Sequence, residues 1–250
     1  MNKVKEALLN GKITLGSWIQ TGNPVAAEII ANAGYDWIGI DCEHSSITTS
    51  VMSDVMRAIG EKAIPLVRVQ TNNTLDIRRA LDMGAGGVIV PMINNKNEAE
   101  HAVNSVKYPP VGVRGFGYCR ANGWGKHFDE YAKSFNNDSV VIAMIETREG
   151  VENIEEILSV DGIDGVFIGP YDLSGSLGVT GQTGHPLVKE ACDKVALACK
   201  KLNKAAGLHI VRPDKAQIES AKERGFTFIA LGADIVYLLD GAENTKKLFD

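Results

Sequence analysis

The sequence predicts an α/β protein with a single (β/α)8 barrel, and three observations lead to this prediction. The chain has 250 residues, a typical length for this architecture. Short apolar runs alternate with helix-length amphipathic segments along the whole sequence. Four of these runs are entered through a glycine and a short linker, which makes a weak internal repeat. We therefore treat residues 1–250 as one barrel domain.

Eight apolar segments are predicted to be the barrel strands. They are rich in β-branched residues and are apolar without interruption, as expected for strands of a parallel sheet whose outer face is covered by helices. In chain order they span residues 14–20, 37–40, 64–69, 87–91, 140–145, 166–168, 206–210 and 228–231.

Glycines precede the second, fourth, sixth and eighth predicted strands. Each can end the preceding helix in the left-handed conformation, which glycine adopts without steric cost. The four residues are Gly34, Gly84, Gly162 and Gly225. No glycine-rich phosphate loop follows the first strand, which disfavours an open doubly wound sheet.

One stretch, from residue 108 to about residue 137, interrupts the alternation of strands and helices. It contains two adjacent prolines, several glycines, Arg114, Arg120 and Trp124. Long loops inside compact domains are usually functional or disordered. Its aromatic residues and arginines favour an ordered loop, and we place no domain boundary in it.

The charge pattern favours a small-molecule partner. The formal net charge is −5, and acidic and basic residues are interspersed. No basic stripe suits nucleic acid or an anionic membrane, and no apolar run approaches the roughly 18 residues that span a bilayer. The first six residues are too polar for a secretory signal, so we expect a cytoplasmic protein. The four cysteines lack disulfide or zinc-site spacing and are expected to be reduced thiols.

Polar residues follow several predicted strands, where the active sites of (β/α)8 enzymes lie. Glu146 follows the fifth strand and Asp172 follows the sixth, so their carboxylates are expected to converge. Two oxygen ligands plus waters suit a hard divalent cation, and magnesium or manganese is favoured because no histidine or thiolate lies nearby. The alternative is that Glu146 caps the next helix and Asp172 caps a turn.

The second predicted strand ends in Asp41-Cys42-Glu43-His44. An imidazole beside two carboxylates is suited to proton transfer near neutral pH. We expect Asp41 and Glu43 to orient His44 or metal-bound waters, whereas the alternative for His44 is a surface histidine without a catalytic role. His209 is the other histidine near a strand end, and its nearest acidic residue downstream is Asp214.

Arg68 ends the third predicted strand. An arginine on the inner side of a barrel is costly unless it meets an anion, and its planar group suits a carboxylate. The alternative is an outward-facing ion pair. Together these residues fit a metal chelated by a 2-oxo acid, an arginine near the enolate oxygen and a base. No lysine lies at an apolar strand end, which disfavours a Schiff base.

Six segments, in the same order, resemble the HpcH/HpaI family of class II pyruvate aldolases, and the similarity covers nearly the whole chain. They are residues 41–44, 81–85, 90–92, 108–115, 145–149 and 165–174. The resemblance implies a lyase that reversibly cleaves a 4-hydroxy-2-oxo acid into pyruvate and an aldehyde through a metal-bound pyruvate enolate. It assigns the metal, with cobalt and zinc as alternatives to magnesium and manganese, to Glu146 and Asp172, proton transfer to His44, and contact with the pyruvate oxygen to Arg68.

The resemblance also implies an assembly. Asp82 resembles an acidic residue that supports the catalytic histidine of a neighbouring subunit, and the backbone amides around Tyr171 and Asp172 resemble those that bind the pyruvate carboxylate. Family members are often homohexamers in which the last helix packs on a neighbouring subunit.

Two departures from the family concern the substrate: Met144 lies on the side of the keto acid, and residues 117–124 lie on the side of the aldehyde. Met144 replaces a glutamine that many relatives carry, and residues 117–124 look shorter and differently composed. We expect Arg120 and the long loop to select the aldehyde. The alternatives are an enolate lyase for an acyl-CoA or other larger substrate, for which no cationic cluster is evident, and a non-catalytic barrel.

Overall fold

The computed structural model describes residues 2–249, which form a closed barrel of eight parallel strands. Each strand pairs with the next along the chain, and the eighth pairs with the first. The strands are β1 (Thr14–Ile19), β2 (Trp37–Asp41), β3 (Ile64–Arg68), β4 (Gly87–Val90), β5 (Val140–Ile145), β6 (Gly165–Ile168), β7 (Ala205–Ile210) and β8 (Phe228–Ala233). All eight predicted strands are thus confirmed, with small differences at their ends.

Helices cover the outside of the barrel and occupy the segments between the strands. They are α1 (Lys3–Leu9), α2 (Pro24–Asn32), α3 (Thr49–Ile59), α4 (Thr74–Asp82), α5 (Lys96–Val106), α6 (Phe128–Asp138), α7 (Arg148–Glu152), α8 (Ile154–Leu158), α9 (Pro170–Ser176), α10 (Pro186–Lys201), α11 (Lys215–Glu223) and α12 (Asp234–Lys247). Gly34, Gly84, Gly162 and Gly225 have φ angles of 90°, 106°, 97° and 88°. The predicted positive φ is confirmed at all four glycines, and Gly34, Gly84 and Gly225 directly follow the C-cap residues of their helices. The predicted helix-ending role is wrong for Gly162, because α8 already ends at Leu158.

The inside of the barrel is filled by large aromatic side chains. The rings of Trp37 and Phe228 stack with centroids 4.1 Å apart, and Trp18 lies edge-on to Trp37. Glycines on the neighbouring strands make room for them, because a Cβ on Gly16 would lie 2.1 Å from the Trp37 ring and one on Gly39 would lie 2.6 Å from Trp18. The interior is therefore a packed core and not a channel.

Helix α1 closes the end of the barrel at which the strands begin. Val4 and Leu8 pack against the inner aromatic cluster, and the ammonium group of Lys5 pairs with Asp164. All three α1 residues are buried. The opposite end, where the strands finish, remains available for a site.

The segment between α5 and β5 is ordered, as predicted, but it is not one irregular loop. It contains a 3-10 turn (Arg120–Asn122) and helix α6. Arg114 is fully buried there, with its guanidinium 4.6 Å from the Tyr108 ring and 4.4 Å from the Phe135 ring. Because it leads into β5, this segment lies at the end of the barrel where the strands begin.

Helix α12 packs weakly on its own barrel. Asp234, at its first position, is the one residue of the helix that is buried within the described chain. Its carboxylate accepts hydrogen bonds from the backbone of Gln20 and Thr21 and so anchors the start of the helix. Within residues 2–249, no helix is long and apolar enough to cross a membrane.

Candidate active site

Glu146 and Asp172 approach each other at the end of the barrel where the strands finish. Glu146 follows β5 and is 5% exposed, whereas Asp172 lies in the first turn of α9. A Cβ on Gly169 would lie 2.9 Å from Glu146 Oε2 and 3.8 Å from Asp172 Oδ2, so both carboxylates border the same small space. Thr147, and not Glu146, caps the helix that follows β5. The structure thus brings the two predicted metal ligands together.

The electrostatics of this space favour a cation. Burial raises the pKa of Glu146, and the nearby charges of Glu43 and Asp172 raise it further, against the opposing effects of the Met92 amide and Arg68. Burial also raises the pKa of Glu43. A divalent cation would relieve this repulsion among carboxylates.

The carboxylates of Glu146 and Asp172 suit a hard divalent cation and would leave some of its coordination positions open. Glu146 Oε1 accepts a hydrogen bond from the Met92 amide at 2.8 Å, and none of the residues from 2 to 249 donates a hydrogen bond to Oε2. Among residues 2–249, no three His, Cys, Asp or Glu side chains are grouped to enclose a metal ion. Two carboxylates with the remaining positions left to water and substrate are typical of magnesium and manganese sites.

Asp41 holds Arg68 in place. Arg68 Nε donates to Asp41 Oδ1 at 2.9 Å and Arg68 Nη2 donates to Asp41 Oδ2 at 2.6 Å, while Gln20 Nε2 donates to Oδ2 at 2.7 Å. The guanidinium also lies 5.1 Å from the centre of the Trp18 ring. Burial opposes ionisation of Asp41, but the hydrogen bonds and charge of Arg68 lower the pKa of Asp41 overall. Arg68 therefore faces inward, and the outward-facing alternative does not apply.

Asp41 is predicted to orient His44 or metal-bound waters, and in the structure its carboxylate contacts the backbone of His44. Asp41 Oδ1 accepts hydrogen bonds from the backbone N–H groups of Glu43 at 3.1 Å and His44 at 3.2 Å, and the carboxylate also accepts from the side chains of Arg68 and Gln20.

His44 lies at the rim of the site. Its side chain is 64% exposed, and its Nε2 is 3.8 Å from Glu43 Oε2. Glu43 Oε2 is also 3.4 Å from Arg68 Nε, so this glutamate lies between the imidazole and the guanidinium. The imidazole is accessible to a substrate and to a group from another molecule.

Asp82 and Arg120 lie at the other end of the barrel. Asp82 is the last residue of α4, which starts after β3, so it lies at the end where strands begin. Its Oδ1 accepts a hydrogen bond from Arg114 Nη2 at 2.8 Å, and Arg120 Nη1 donates to the Met83 carbonyl at 2.7 Å. Within one chain the structure does not bring these two residues to Glu146, and their predicted roles require a neighbouring copy.

A cavity of about 450 Å³ opens beside Arg68 and Asp172. One part of its wall is polar, with Gln20, Arg68 and Asp172, and includes the exposed Tyr171. The rest is largely apolar and includes Trp18, Met144, Phe167, Pro170 and Val211, with Thr183 and His209 among them. A small oxo acid fits a cavity of this kind.

Three residues of the site were not predicted from the sequence. Gln20 directly follows β1, and applying the strand-end rule to the first strand would have found it. Trp18 is indistinguishable from a core residue in the sequence, since its role depends on Arg68 lying over its ring. His209 was noted near a strand end but received no role, because its surroundings come from other strands.

Comparison with known proteins identifies similar chains of nearly equal length. Residues 14–240 match the family described as HpcH/HpaI aldolase/citrate lyase. The 4-hydroxy-2-oxo-heptane-1,7-dioate aldolase of Salmonella arizonae is 38% identical, with 99% of this chain and 94% of that protein covered.

Solved structures agree with the sequence comparison. A HpcH/HpaI aldolase/citrate lyase family protein from Burkholderia cenocepacia J2315 has a TM-score of 0.94 and 33% identity, covering 100% of this chain and 99% of the other. The citrate synthase SbnG has a TM-score of 0.86 and 30% identity, covering 99% and 98%.

Proposed function

Because this lyase belongs to the HpcH/HpaI aldolase/citrate lyase family, we propose that it reversibly cleaves a 4-hydroxy-2-oxo acid into pyruvate and an aldehyde. The observation that carries the proposal is the meeting of Glu146 and Asp172 beside Gly169, since Gly169 and Asp172 line the same cavity as the inward-facing Arg68. The name of the Salmonella arizonae relative describes an aldolase for a substrate of this class.

A divalent cation, magnesium or manganese before cobalt or zinc, is proposed at Glu146 and Asp172. Both residues offer oxygen ligands, and the raised pKa of Glu146 reflects burial and neighbouring negative charge that a cation would offset. When bound, the cation supplies Lewis-acid stabilisation of the negative charge that develops on the keto oxygen.

Arg68 is proposed to donate to the keto oxygen as that charge develops. The bidentate pair with Asp41 and the contact with Trp18 fix the guanidinium before substrate arrives, so little reorganisation is needed. The backbone N–H groups near Tyr171 and Asp172, at the start of α9, are proposed to bind the carboxylate.

His44 is proposed to accept the proton of the 4-hydroxyl group. The C3–C4 bond then breaks, its electron pair becomes the enolate, and the protonated imidazole of His44 gives its proton to C3 to yield pyruvate. The same transfer between His44 and C3, in both directions, would exchange the methyl protons of free pyruvate. Asp82 from a neighbouring copy is proposed to orient the imidazole, since Asp82 of the same chain lies at the opposite end of the barrel. Arg120 and its loop, also from a neighbouring copy, are proposed to contact the aldehyde.

These assignments require a homo-oligomer, and we propose the hexamer of the family. Helix α12 supports this proposal because it buries little beyond Asp234 on its own barrel and exposes Leu238 and Leu239. Apolar side chains on such a helix are suited to packing on another subunit.

The proposed function is tested by exchange of the pyruvate methyl protons with deuterated solvent. We expect exchange with magnesium or manganese and none after chelation. His44→Ala should abolish exchange and leave manganese binding intact. His185→Asn is the matched control, because it removes an imidazole at the start of α10 and keeps a capping side chain. Absence of metal-dependent exchange in the unmodified protein would contradict the proposal.

A lyase acting on an acyl-CoA is the second candidate, favoured by the likeness to the citrate synthase SbnG. A second cavity, of about 660 Å³, is lined by the cationic residues Lys189, Arg212 and Arg224. Asp240 and Asp193 pair with the two arginines, so less positive charge remains for a nucleotide. Release of coenzyme A thiol from acetyl-CoA in the presence of an oxo acid, without aldehyde condensation, would select this candidate.

A further inference from the structure

His209 is a polar residue in the largely apolar part of the cavity wall. It lies near the end of β7, with its ring centroid 6.2 Å from that of Trp18, and lines the same cavity as Met144 and Phe167. None of the steps proposed above uses it. An imidazole placed among apolar side chains beside a substrate requires an explanation.

The hydrogen bonding of His209 determines which of its nitrogens carries the proton. Its Nε2 lies 3.0 Å from the carbonyl oxygen of Gly232. A carbonyl oxygen can only accept, so Nε2 must donate, and in a neutral ring Nδ1 then keeps its lone pair. Nδ1 makes no hydrogen bond to any residue from 2 to 249.

The ring is neutral at physiological pH. Burial lowers the pKa of His209 to about 4, and the charge of Arg68 lowers it as well, while the Gly232 bond and Asp41 oppose the shift. Such an imidazole is a poor general base near neutral pH. It remains a hydrogen-bond acceptor on the cavity wall beside the apolar ring of Trp18.

We propose that His209 Nδ1 accepts a hydrogen bond from a hydroxyl group of the substrate carbon chain, next to the bond that is made or broken. This inference rests on the proposed aldolase function and specifies its substrate class as one carrying a hydroxyl group beyond the 4-hydroxyl itself. The hydroxyl can belong to the oxo acid, as in hydroxypyruvate, or to the aldehyde, as in glycolaldehyde.

The cavities leave room for such a chain. The second cavity shares five lining residues with the first, and His209 is one of them; the others are Ile168, Pro170, Thr183 and Val211. His209 therefore lies where the inner space continues outward between β7 and the flanking helices α10 and α11. A carbon chain that extends past the cleaved bond can pass this side chain.

The unmodified protein provides the first test. We measure kcat/KM for condensation of pyruvate with glycolaldehyde against acetaldehyde, and of hydroxypyruvate against pyruvate with a common aldehyde. The hydroxylated member of at least one pair should be preferred by about five- to tenfold, the effect of one neutral hydrogen bond. The pair that shows the preference identifies which half carries the hydroxyl. No preference in either pair overturns the inference.

Three variants separate recognition from a structural role. His209→Leu removes both nitrogens, His209→Gln keeps an amide near the Nε2 position that bonds Gly232, and His209→Asn places a polar atom near the Nδ1 position. The preference for the hydroxylated substrate should fall to about twofold or less in the Leu and Gln variants and persist in the Asn variant. Preference retained in the Leu or Gln variant overturns the inference.

The outcomes also distinguish this inference from the proposed function. If the unmodified protein fails to exchange pyruvate methyl protons, the aldolase assignment fails. If exchange and condensation occur without discrimination between hydroxylated and deoxy substrates, the proposed role of His209 is contradicted and the aldolase assignment stands.

Discussion

The carboxylate of Asp41 is fully buried, and its negative charge is compensated by the guanidinium of Arg68. A buried ion pair contributes little net stability compared with an apolar pair, but removal of one partner leaves an uncompensated charge. Asp41 accepts the two Arg68 bonds, the Gln20 bond and two backbone N–H groups, so its oxygens are satisfied. The pair therefore positions Arg68 more than it stabilises the fold.

Asp41→Asn is expected to reduce activity strongly. The amide cannot accept both Arg68 bonds, so the free energy of unfolding should fall by about 3–5 kcal/mol, and kcat/KM should fall by about 100-fold or more. Chemical denaturation and steady-state kinetics measure the two effects. Asp54→Asn breaks the exposed pair with Arg57 and should change the unfolding free energy by less than about 0.5 kcal/mol. Equal effects of the two substitutions would contradict the role of Asp41.

Gly169→Ala is expected to disturb the two carboxylates. The added Cβ would lie 2.9 Å from Glu146 Oε2 and 3.1 Å from Glu146 Cβ, so Glu146 must move. Manganese affinity, measured by calorimetry, should fall about tenfold or more, since ligand placement determines affinity. Gly175→Ala in α9 is the control, because its nearest neighbour would be the Thr180 hydroxyl at 3.8 Å. Unchanged affinity in Gly169→Ala would argue against a cation at this place.

At the scale of elements, helix α1 closes the end of the barrel opposite the site, and the residue that follows α5 lies near it. Lys107, directly after α5, is 3% exposed and donates to the Asn136 carbonyl at 2.5 Å and to Ser139 Oγ at 2.7 Å. Burial lowers the pKa of Lys107 to about 8, and the charge of Lys5 on α1 contributes. Keeping Lys107 charged at neutral pH therefore reduces the free energy of unfolding.

The stability contribution of Lys107 should depend on pH. Between pH 8 and the ordinary lysine pKa of 10.5, the unfolded chain binds more protons at Lys107 than the folded chain does. The contribution of Lys107 to the free energy of unfolding therefore increases as the pH rises through this range. Lys107→Met should remove that rise when denaturation is followed from neutral pH to about pH 10. Lys201→Met, at an exposed position, should keep the slope of the unmodified protein. Parallel curves for the unmodified protein and Lys107→Met would exclude the effect.

At the scale of the whole molecule, the predicted catalytic residues are divided between two ends. Glu146, Asp172, Arg68 and His44 lie where the strands finish, whereas Asp82 lies where they begin, held by Arg114. One barrel cannot bring both groups to one substrate. The proposed site is complete only when the end of one barrel at which its strands begin contacts the end of a neighbouring barrel at which the strands finish.

A mixed assembly should recover activity that neither variant has alone. In co-assembled His44→Ala and Asp82→Ala chains, about a quarter of the sites would combine an intact His44 with an intact Asp82. His44→Ala mixed with Glu146→Gln is the matched control, because those two residues belong to the same chain's site and no intact site can form. Pyruvate exchange measured after co-expression checks this. Equal activity in the two mixtures would rule out a shared site.

The fold was largely predictable from the sequence because its signals are local. Strands buried on both faces are apolar without interruption, and Gly84 or Gly225 marks the conformation that ends a helix. The residues that follow the strands, such as Glu146 and Asp172, were found by the same reasoning. Helix α6 was missed, since a polar amphipathic segment after a loop of glycines and prolines gives a weak signal.

Only the tertiary structure decided which groups meet. Arg68 and Asp41 are 27 positions apart, yet they form the bidentate pair that positions the guanidinium in the site. Nor could the sequence reveal that Asp82 and Arg120 lie far from Glu146 in one chain, or that Gly232 sets the tautomer of His209. The eight strands and the carboxylates at their ends follow from local patterns of the sequence. The partners of those side chains depend on the closure of the barrel, which brings residues from distant parts of the chain within hydrogen-bonding distance.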